Sequence, residues 1–425
     1  MTSQEYEVKL GDCIETLKGF AFKSQWYTDK GVPLIKVSDF SDDSISTENI
    51  TFIPEHIAKD FDRYRIREND IIIQTVGSWP RNPKSVVGKA ILVPRNCNNS
   101  LLNQNAVKII PNRNIDNNFL FYLLRSKQFK DYIINTAQGA ANQASITLES
   151  IKNFKFVLPD FDSQKKIGAQ IRNYDDLIKN NSRRIQLLEH IAKLIYDEWF
   201  VRFKFPGHEN IGIVESELGD IPKGWKVSKL SEVIDIDPKM AFLKNSEKVY
   251  VPMSALSPNS MLIDEFEFRR GNDGSKFKNG DTLFARITPS LEHGKTAFVQ
   301  FLGPDEVALG STEFIVFRSR TLNPYYVYFI ARNENLRQHA IKSMTGASGR
   351  QRVQSSCFDS FYFPRPEEDT LTKFASIVAP MFHEIQVLCR KNQILQHMRN
   401  LLLPKLISGE INVSELDIKV PEVEA

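Results

Sequence analysis

Between Ile167 and Trp199, one set of residues recurs in steps of four and three without a slip: Ile167, Ile171, Tyr174, Ile178, Asn181, Ile185, Leu188, Ala192, Ile195 and Trp199. Such spacing holds one stripe of a helix against a partner and is the seam of a coiled coil. Asn181 is the polar exception, and a single Asn in a seam fixes register and partner at some cost in stability. The pattern returns 207 residues later as Phe374, Val378, Met381, Ile385, Leu388, Asn392, Leu395, Arg399, Leu402 and Leu406. Leu187–Ile191 answers to Ile394–Met398 at the same offset. Two helices of equal length are therefore expected, each about 50 Å long at roughly 1.5 Å per residue, and each following a globular stretch of similar size. Packed antiparallel, they would form a rigid spacer with a domain at either end.

At 425 residues the chain is long for one core, and 41% hydrophobic with 25% charged residues is ordinary globular composition. The net charge of +3 is too small to imply a nucleic-acid partner, so any basic surface must be local. Cys13, Cys97, Cys357 and Cys389 are scattered without a CxxC pair, which favours a reducing cytoplasm over structural zinc or a disulfide framework. Neither a signal-peptide core nor an apolar run of membrane-spanning length is present.

From about residue 5 to 158, short apolar runs are broken by turn residues. Leu34–Val37, Ile71–Ile73, Ala90–Val93 and Val107–Ile110 are strand candidates, and Asn118–Arg125 with its continuation to Ile134 is expected to be helical. Asp160–Ser163 supplies N-cap residues for the first long helix, which should end near Phe205-Pro206-Gly207. The pattern then restarts. Lys9–Ile14 resembles Lys229–Ile234, Asp70–Ile73 resembles Asp281–Phe284, and Gly88–Val93 resembles Gly294–Val299. Gly139 and Gly346 each precede by twenty residues the proline that opens a long helix, Pro159 or Pro366. The boundaries implied are 1–158 and 206–364 for the globular parts (the second with its connector), and 159–205 and 365–425 for the helices, the latter with a C-terminal tail.

Basic residues cluster. No acid occurs from Ile71 to Ile115, a stretch holding Arg81, Lys84, Lys89, Arg95, Lys108 and Arg113. Within it, the turn-rich loop Gly77–Ser85 combines Ser78, Trp79, Arg81, Asn82 and Lys84. Phosphates attract such cations, and base edges attract Arg, Asn, Gln or Ser. In the second half, Phe284–Ser290 occupies the matching place with Arg286, Thr288 and Ser290, followed by His293 and Lys295. The loop Gly346–Arg352 carries Arg350, Gln351 and Arg352; its counterpart Gly139–Ser145 offers Asn142 and Gln143. Lys36, Lys89 and Lys295 complete the candidate DNA contacts. His293 reads as a surface histidine rather than a catalyst or metal ligand.

Enzymatic signatures are weak. Asn323-Pro324-Tyr325-Tyr326 approaches the Asn-Pro-Pro-Tyr loop of adenine methyltransferases, but its third residue departs and no glycine-rich methyl-donor motif precedes it. It reads better as a helix start. Pro304-Asp305 followed by Glu313-Phe314-Ile315 resembles a restriction-nuclease site without its lysine. No phosphate-loop, His-Glu-x-x-His or Gly-x-Ser-x-Gly motif occurs. A binding protein is expected, ahead of a stand-alone DNA methyltransferase or nuclease, or a scaffold that does not bind DNA.

Three segments carry a resemblance to a known family. Trp199–Gly207 resembles the central conserved region of the specificity subunits of type I restriction-modification enzymes. Leu218–Val227 is similar to the segment that opens their second target recognition domain, and Leu401–Ile411 to their C-terminal ending. The resemblance implies an α/β fold of two strand-rich target recognition domains joined by two long helices packed as an antiparallel coiled coil. It implies that each domain reads one half of a split, asymmetric double-stranded DNA site. The helices would set the gap and dock two methyltransferase subunits, with a restriction-translocase subunit joining for cleavage. No cofactor would belong to this chain; S-adenosylmethionine and ATP/Mg would sit on partners, in the cytoplasm. Arg399, where the first seam has Ala192, marks a place where the helix pair is expected to open toward a partner.

Overall fold

A computed structural model describes residues 6–41, 44–80, 86–140, 143–240, 246–263, 265–347 and 349–420. The chain divides into two compact units, one of residues Met1–Leu177 with Leu395–Ala425, the other of Ile178–Ile394. Each unit thus takes its globular domain, the start of the helix that follows it, and the end of the other long helix.

In the first unit, a four-stranded antiparallel sheet runs in the order Ile14–Lys18, Ala106–Pro111, Ile71–Gln74, Ala90–Leu92. A second sheet has the order Thr51–Ile53, Val32–Ile35, Ser100–Leu102, Arg65–Ile66, with the middle pair parallel. Strand Tyr6–Lys9 pairs with Lys155–Leu158, which brings the two ends of the domain together before the long helix departs. Asp70 opens the inner strand: its carboxylate accepts from the Arg67 amide and holds the Lys108 ammonium at 2.6 Å. One cation of the acid-free stretch is therefore engaged inside the fold.

The helix expected from Asn118 to Ile134 is two helices, Asn117–Arg125 and Lys127–Thr136. The first is capped by Asp116, and Ser126 breaks the run by adopting an extended conformation and capping the second through the Phe129 amide. Their inner faces, with Phe119, Leu123, Phe129 and Ile133, cover Ile71, Ile73, Val107 and Ile109 of the sheet. Ile167 and Ile171 from the first long helix join this core, as do Leu406, Ile407 and Val413 from the chain's last segment.

The second unit repeats both four-stranded sheets of the first. Its antiparallel sheet has the order Ile234–Ile236, Phe314–Ser319, Thr282–Ala285, Thr296–Phe298. Its other sheet runs Glu267–Arg270, Glu247–Val251, Ala308–Gly310, Ser275–Phe277, again with a parallel middle pair. Lys226–Lys229 pairs with Tyr362–Arg365. Asp281 stands where Asp70 stands, and Arg318 grips both its carboxylate oxygens at 2.6–2.7 Å. Helices Pro324–Arg332 and Glu334–Lys342 match the earlier helix pair, with Asn323 as N-cap accepting from the Tyr326 amide at 2.8 Å while its side-chain amide donates to the Leu371 carbonyl at 3.2 Å. The Asn-Pro-Tyr-Tyr segment is a helix start, as its reading from sequence had it.

The long helices span Phe161–Tyr196, followed by a π-helical turn Asp197–Val201, and Glu368–Ile407. Asp160 caps the first, accepting from the amide and the hydroxyl of Ser163. Every seam position is buried or half-buried. Ile167 and Ile171 are buried in the first unit, with Tyr174 and Leu395 half-buried. In the second unit Asn181, Ile185, Phe374, Val378, Ile385, Leu388 and Asn392 are buried, while Ile178, Leu188 and Met381 are half-buried. Asn181 donates to Asn392 at 3.0 Å and Arg184 to Glu384 at 2.7 Å, so rising numbers on one helix meet falling numbers on the other and the helices run antiparallel there. Around Tyr196, Trp199 and Phe200, the rings of Trp225, Tyr326, Phe329 and Phe374 form an aromatic core that fixes the end of the first helix.

One expectation is corrected. Arg399 does not mark an opening of the helix pair: within the first unit its guanidinium lies 2.5 Å from Asp175, which also accepts from the Tyr122 hydroxyl at 2.8 Å. A guanidinium in a half-buried seam needs a carboxylate, and the facing helix supplies one.

Candidate nucleic-acid interface

Each unit brings together two of the loops singled out in the sequence. In the first unit, strand Val76–Gly77 leaves the inner sheet and pairs with Ala144–Ser145. Beyond it, the half-buried Trp79 donates from its indole N–H to the Ala140 carbonyl at 3.0 Å, tying the 77–80 segment to the 137–145 loop. That loop closes on itself through reciprocal bonds between Gln138 and Ser145. Gly139 makes the turn with φ +150°, where an added Cβ would fall 2.0 Å from the Gln143 carbonyl oxygen. Gln143 is exposed on the loop. Arg81, Asn82, Lys84 and Asn142 lie outside the described residues.

The second unit builds the same pair with different chemistry. Ile287 bridges Arg352, and Thr288 exchanges backbone and hydroxyl bonds with Gln351 at 3.0–3.2 Å. Arg286 donates to the Gln354 side chain at 3.0 Å. Arg352 is held in a fork by Glu313, with Nε and Nη2 contacts of 2.7–3.0 Å. Arg350, two residues earlier, is exposed at the tip, and Gly346 turns the loop with φ +123°. The two arginines of one short motif thus have opposite situations: one anchors the loop and the other faces solvent.

The remaining candidates are dispersed. Lys36 follows the strand Val32–Ile35 of the second sheet, and its ammonium bonds the Thr51 hydroxyl at 2.5 Å and sits over the Tyr27 ring. Ser78 and Lys89 are half-buried and partnered. Lys295 is half-buried and donates to the Met253 carbonyl, and Ser290 accepts from the Lys295 amide in the same turn. His293 is exposed.

The sequence reading missed Glu313 as the anchor of Arg352, having matched it to a nuclease pattern. It also missed the edge strand Glu267–Arg270, all four residues of which are exposed, and where Arg269 lies 3.6 Å over the Tyr250 ring. Among the described residues, no group of three or more His, Cys, Asp or Glu is placed to hold a metal ion. No helix among them is long and apolar enough to cross a membrane.

A duplicated, strand-rich domain whose paired polar loops sit beside one sheet, followed each time by a long seam helix, defines a modular recognition protein. Residues 4–190 match the family model for the type I restriction modification DNA specificity domain. The MjaIX specificity subunit of Methanocaldococcus jannaschii is 25% identical over 333 residues, covering 74% of this chain and 73% of that one. The MjaVIII specificity subunit of the same organism is 21% identical across 96% of this chain and 93% of its own length. In fold, the crystal structure of the type I restriction-modification S subunit from M. genitalium superposes with a TM-score of 0.60 at 13% identity, covering 96% of this chain and 97% of that one. The chain thus resembles the specificity subunits of type I restriction-modification enzymes, through that domain in residues 4–190 and through similarity along most of its length. These similarities support a role in DNA-sequence recognition.

Proposed function

We propose that each unit reads one half of a bipartite, asymmetric DNA site through its own pair of tied loops, with 77–85 and 137–145 on the first and 286–290 and 346–354 on the second. The observation that carries this reading is the repetition of one loop pair, on one topology, with different side chains at its tips. Arg350 and Gln143 supply contacts to phosphates or base edges, and Arg352, Trp79 and Thr288 position the loops that carry them.

The helices set the gap between half-sites and dock two methyltransferase subunits. Support for docking comes from apolar residues on the solvent side of the first helix. Leu187, Ile191 and Leu194 are each more than two-fifths exposed, and so are Ile394, Met398 and Leu401, their equivalents 207 residues on. Exposed apolar residues in register on both repeats suit two copies of one partner. A restriction-translocase subunit joins this assembly for cleavage. S-adenosylmethionine and ATP/Mg belong to those partners, and the complex works in the cytoplasm.

The test is an exchange of residues 1–158 for the first domain of another family member, followed by methylation mapping with methyltransferase subunits present. One half of the recognised sequence should change and the other persist. A swap that altered both halves together would overturn the reading.

A further inference from the structure

Three positions that face one another in the first unit change character together in the second. Tyr122, Asp175 and Arg399 are linked by bonds of 2.8 and 2.5 Å, with Arg125 4.0 Å from the same carboxylate. At the 207-residue offset stand Phe329, Phe382 and Ala192, all buried. Phe382 packs there against Phe298, Tyr325 and Tyr328. A charged layer in one unit is an aromatic layer in the other.

The second polar layer behaves in the same way. Asn181 donates to Asn392 at 3.0 Å, and Asn392 donates to the Ser182 hydroxyl at 3.1 Å and toward the Ile178 carbonyl. Their equivalents 207 residues away are Leu388 and Ile185, both buried and apolar. Neither layer is therefore complementary to its own repeat. If the first helix paired with the first helix of a second copy, Asp175 would face Ala192 and Asn181 would face Ile185. If the second helix paired with its own kind, Arg399 would face Phe382 and Asn392 would face Leu388. The apolar seam positions would tolerate either arrangement, because both helices carry the same apolar repeat.

We infer that these two layers are a pairing key, which makes the first helix accept the second helix and refuse a second copy of itself. The closed, single-chain form follows from the key, because the seam alone does not distinguish the two pairings. A half-buried carboxylate or guanidinium without its partner, or a buried amide against a hydrocarbon, disfavours the homotypic form. The proposal concerns assembly and stands whether or not the loops read DNA as described above.

The test moves the key on the full-length chain. Arg399→Ala with Ala192→Arg places the guanidinium where only homotypic pairing brings it to Asp175. Asn181→Leu with Asn392→Leu removes the second layer. The fourfold variant, refolded from denaturant and measured by light scattering during size exclusion, should elute at twice the monomer mass, while the wild-type chain refolded in parallel stays monomeric. A fourfold variant that refolds at monomer mass overturns the proposal. Should it not fold, a variant that removes both layers without moving a charge decides: Asp175→Leu, Arg399→Leu, Asn181→Leu and Asn392→Leu together leave an apolar seam that should give a dimer fraction rising with protein concentration during refolding. A monomer at every concentration overturns the key.

Discussion

The opposite situations of Arg350 and Arg352 give a prediction in which two simple arguments differ in sign. Arg350 is exposed at the loop tip, so as a phosphate contact it should contribute one released counterion. Arg350→Ala should then reduce the slope of log affinity against log salt by about 0.9, so that the loss in affinity between about 50 and 200 mM salt becomes roughly 3.5-fold smaller. Arg352 already has its charge matched by Glu313, through three contacts of 2.7–3.0 Å. Its side chain is 43% exposed, so the pair itself is worth at most about 1 kcal/mol, or roughly fivefold in binding if all of it goes into holding the loop. Arg352→Ala should cost up to that factor with little change in slope. Glu313→Ala is the decisive variant. If field strength alone mattered, removing a carboxylate beside the loop would tighten DNA binding and steepen its salt dependence. If the fork positions the loop, the same change loosens binding and resembles Arg352→Ala. Fluorescence anisotropy of the full-length chain on a labelled duplex at four or five salt concentrations measures both quantities. Tighter binding by Glu313→Ala, or equal slope changes for the two arginine variants, would refute the assignment of anchor and contact.

Two further expectations concern the scaffold. Asp281, with its side chain 1% exposed, accepts two bonds from Arg318 and one from the Lys278 amide, so Asp281→Ala should cost about 3 kcal/mol or more in urea unfolding, whereas Asp281→Leu with Arg318→Met should come close to wild type. Glu189 is pushed above the usual carboxylate range by burial, although the Met261 amide and Ser260 hydroxyl bond its charged form. Its folded pKa being the higher one, the stability it contributes is fully present below the unfolded value of about 4.3 and is lost as pH rises through the folded value. Glu189→Gln should therefore match or exceed wild type in stability at neutral pH and lose this component of the pH slope; a variant less stable at pH 7 than at pH 4.5, relative to wild type, would contradict the sign.

What the sequence made legible was whatever repeats at short range. The seam steps, the cap at Asp160, the helix start at Asn323 and the matched strands after Asp70 and Asp281 all lie within a few residues of their cause. The break at Ser126 was within reach too, since a serine three residues before Phe129 is a cap signal, but the apolar run through it dominated. The parallel pairing of Val32–Ile35 with Ser100–Leu102 joins residues more than sixty positions apart, and no local pattern specifies it. The loops were found as basic or amide-rich stretches, yet the distinction between their anchors and their tips was not. Lys36, Arg352 and Lys295 look like free cations in one dimension, and each is engaged by an oxygen from a distant strand or turn.

Arg399 shows how such a distinction can still be drawn in a duplicated chain. Taken alone, an arginine in an apolar seam has two readings, an opening for a partner or a buried ion pair, and seam periodicity does not separate them. The two repeats supply what one repeat lacks. A carboxylate that served only solvent would have no reason to become phenylalanine at the equivalent position, yet Asp175 answers to Phe382, and with it Tyr122 answers to Phe329 and Arg399 to Ala192. Removing one member of a half-buried charge network leaves the others to be exchanged or given new partners; Arg332, the equivalent of Arg125, is kept and donates to the Pro258 carbonyl instead. A joint change at three positions therefore points to mutual contact before any coordinates are known. The same comparison marks Asn181 and Asn392, whose equivalents Leu388 and Ile185 are both apolar. Within the seam, polarity that fails to repeat is where the two helices are told apart.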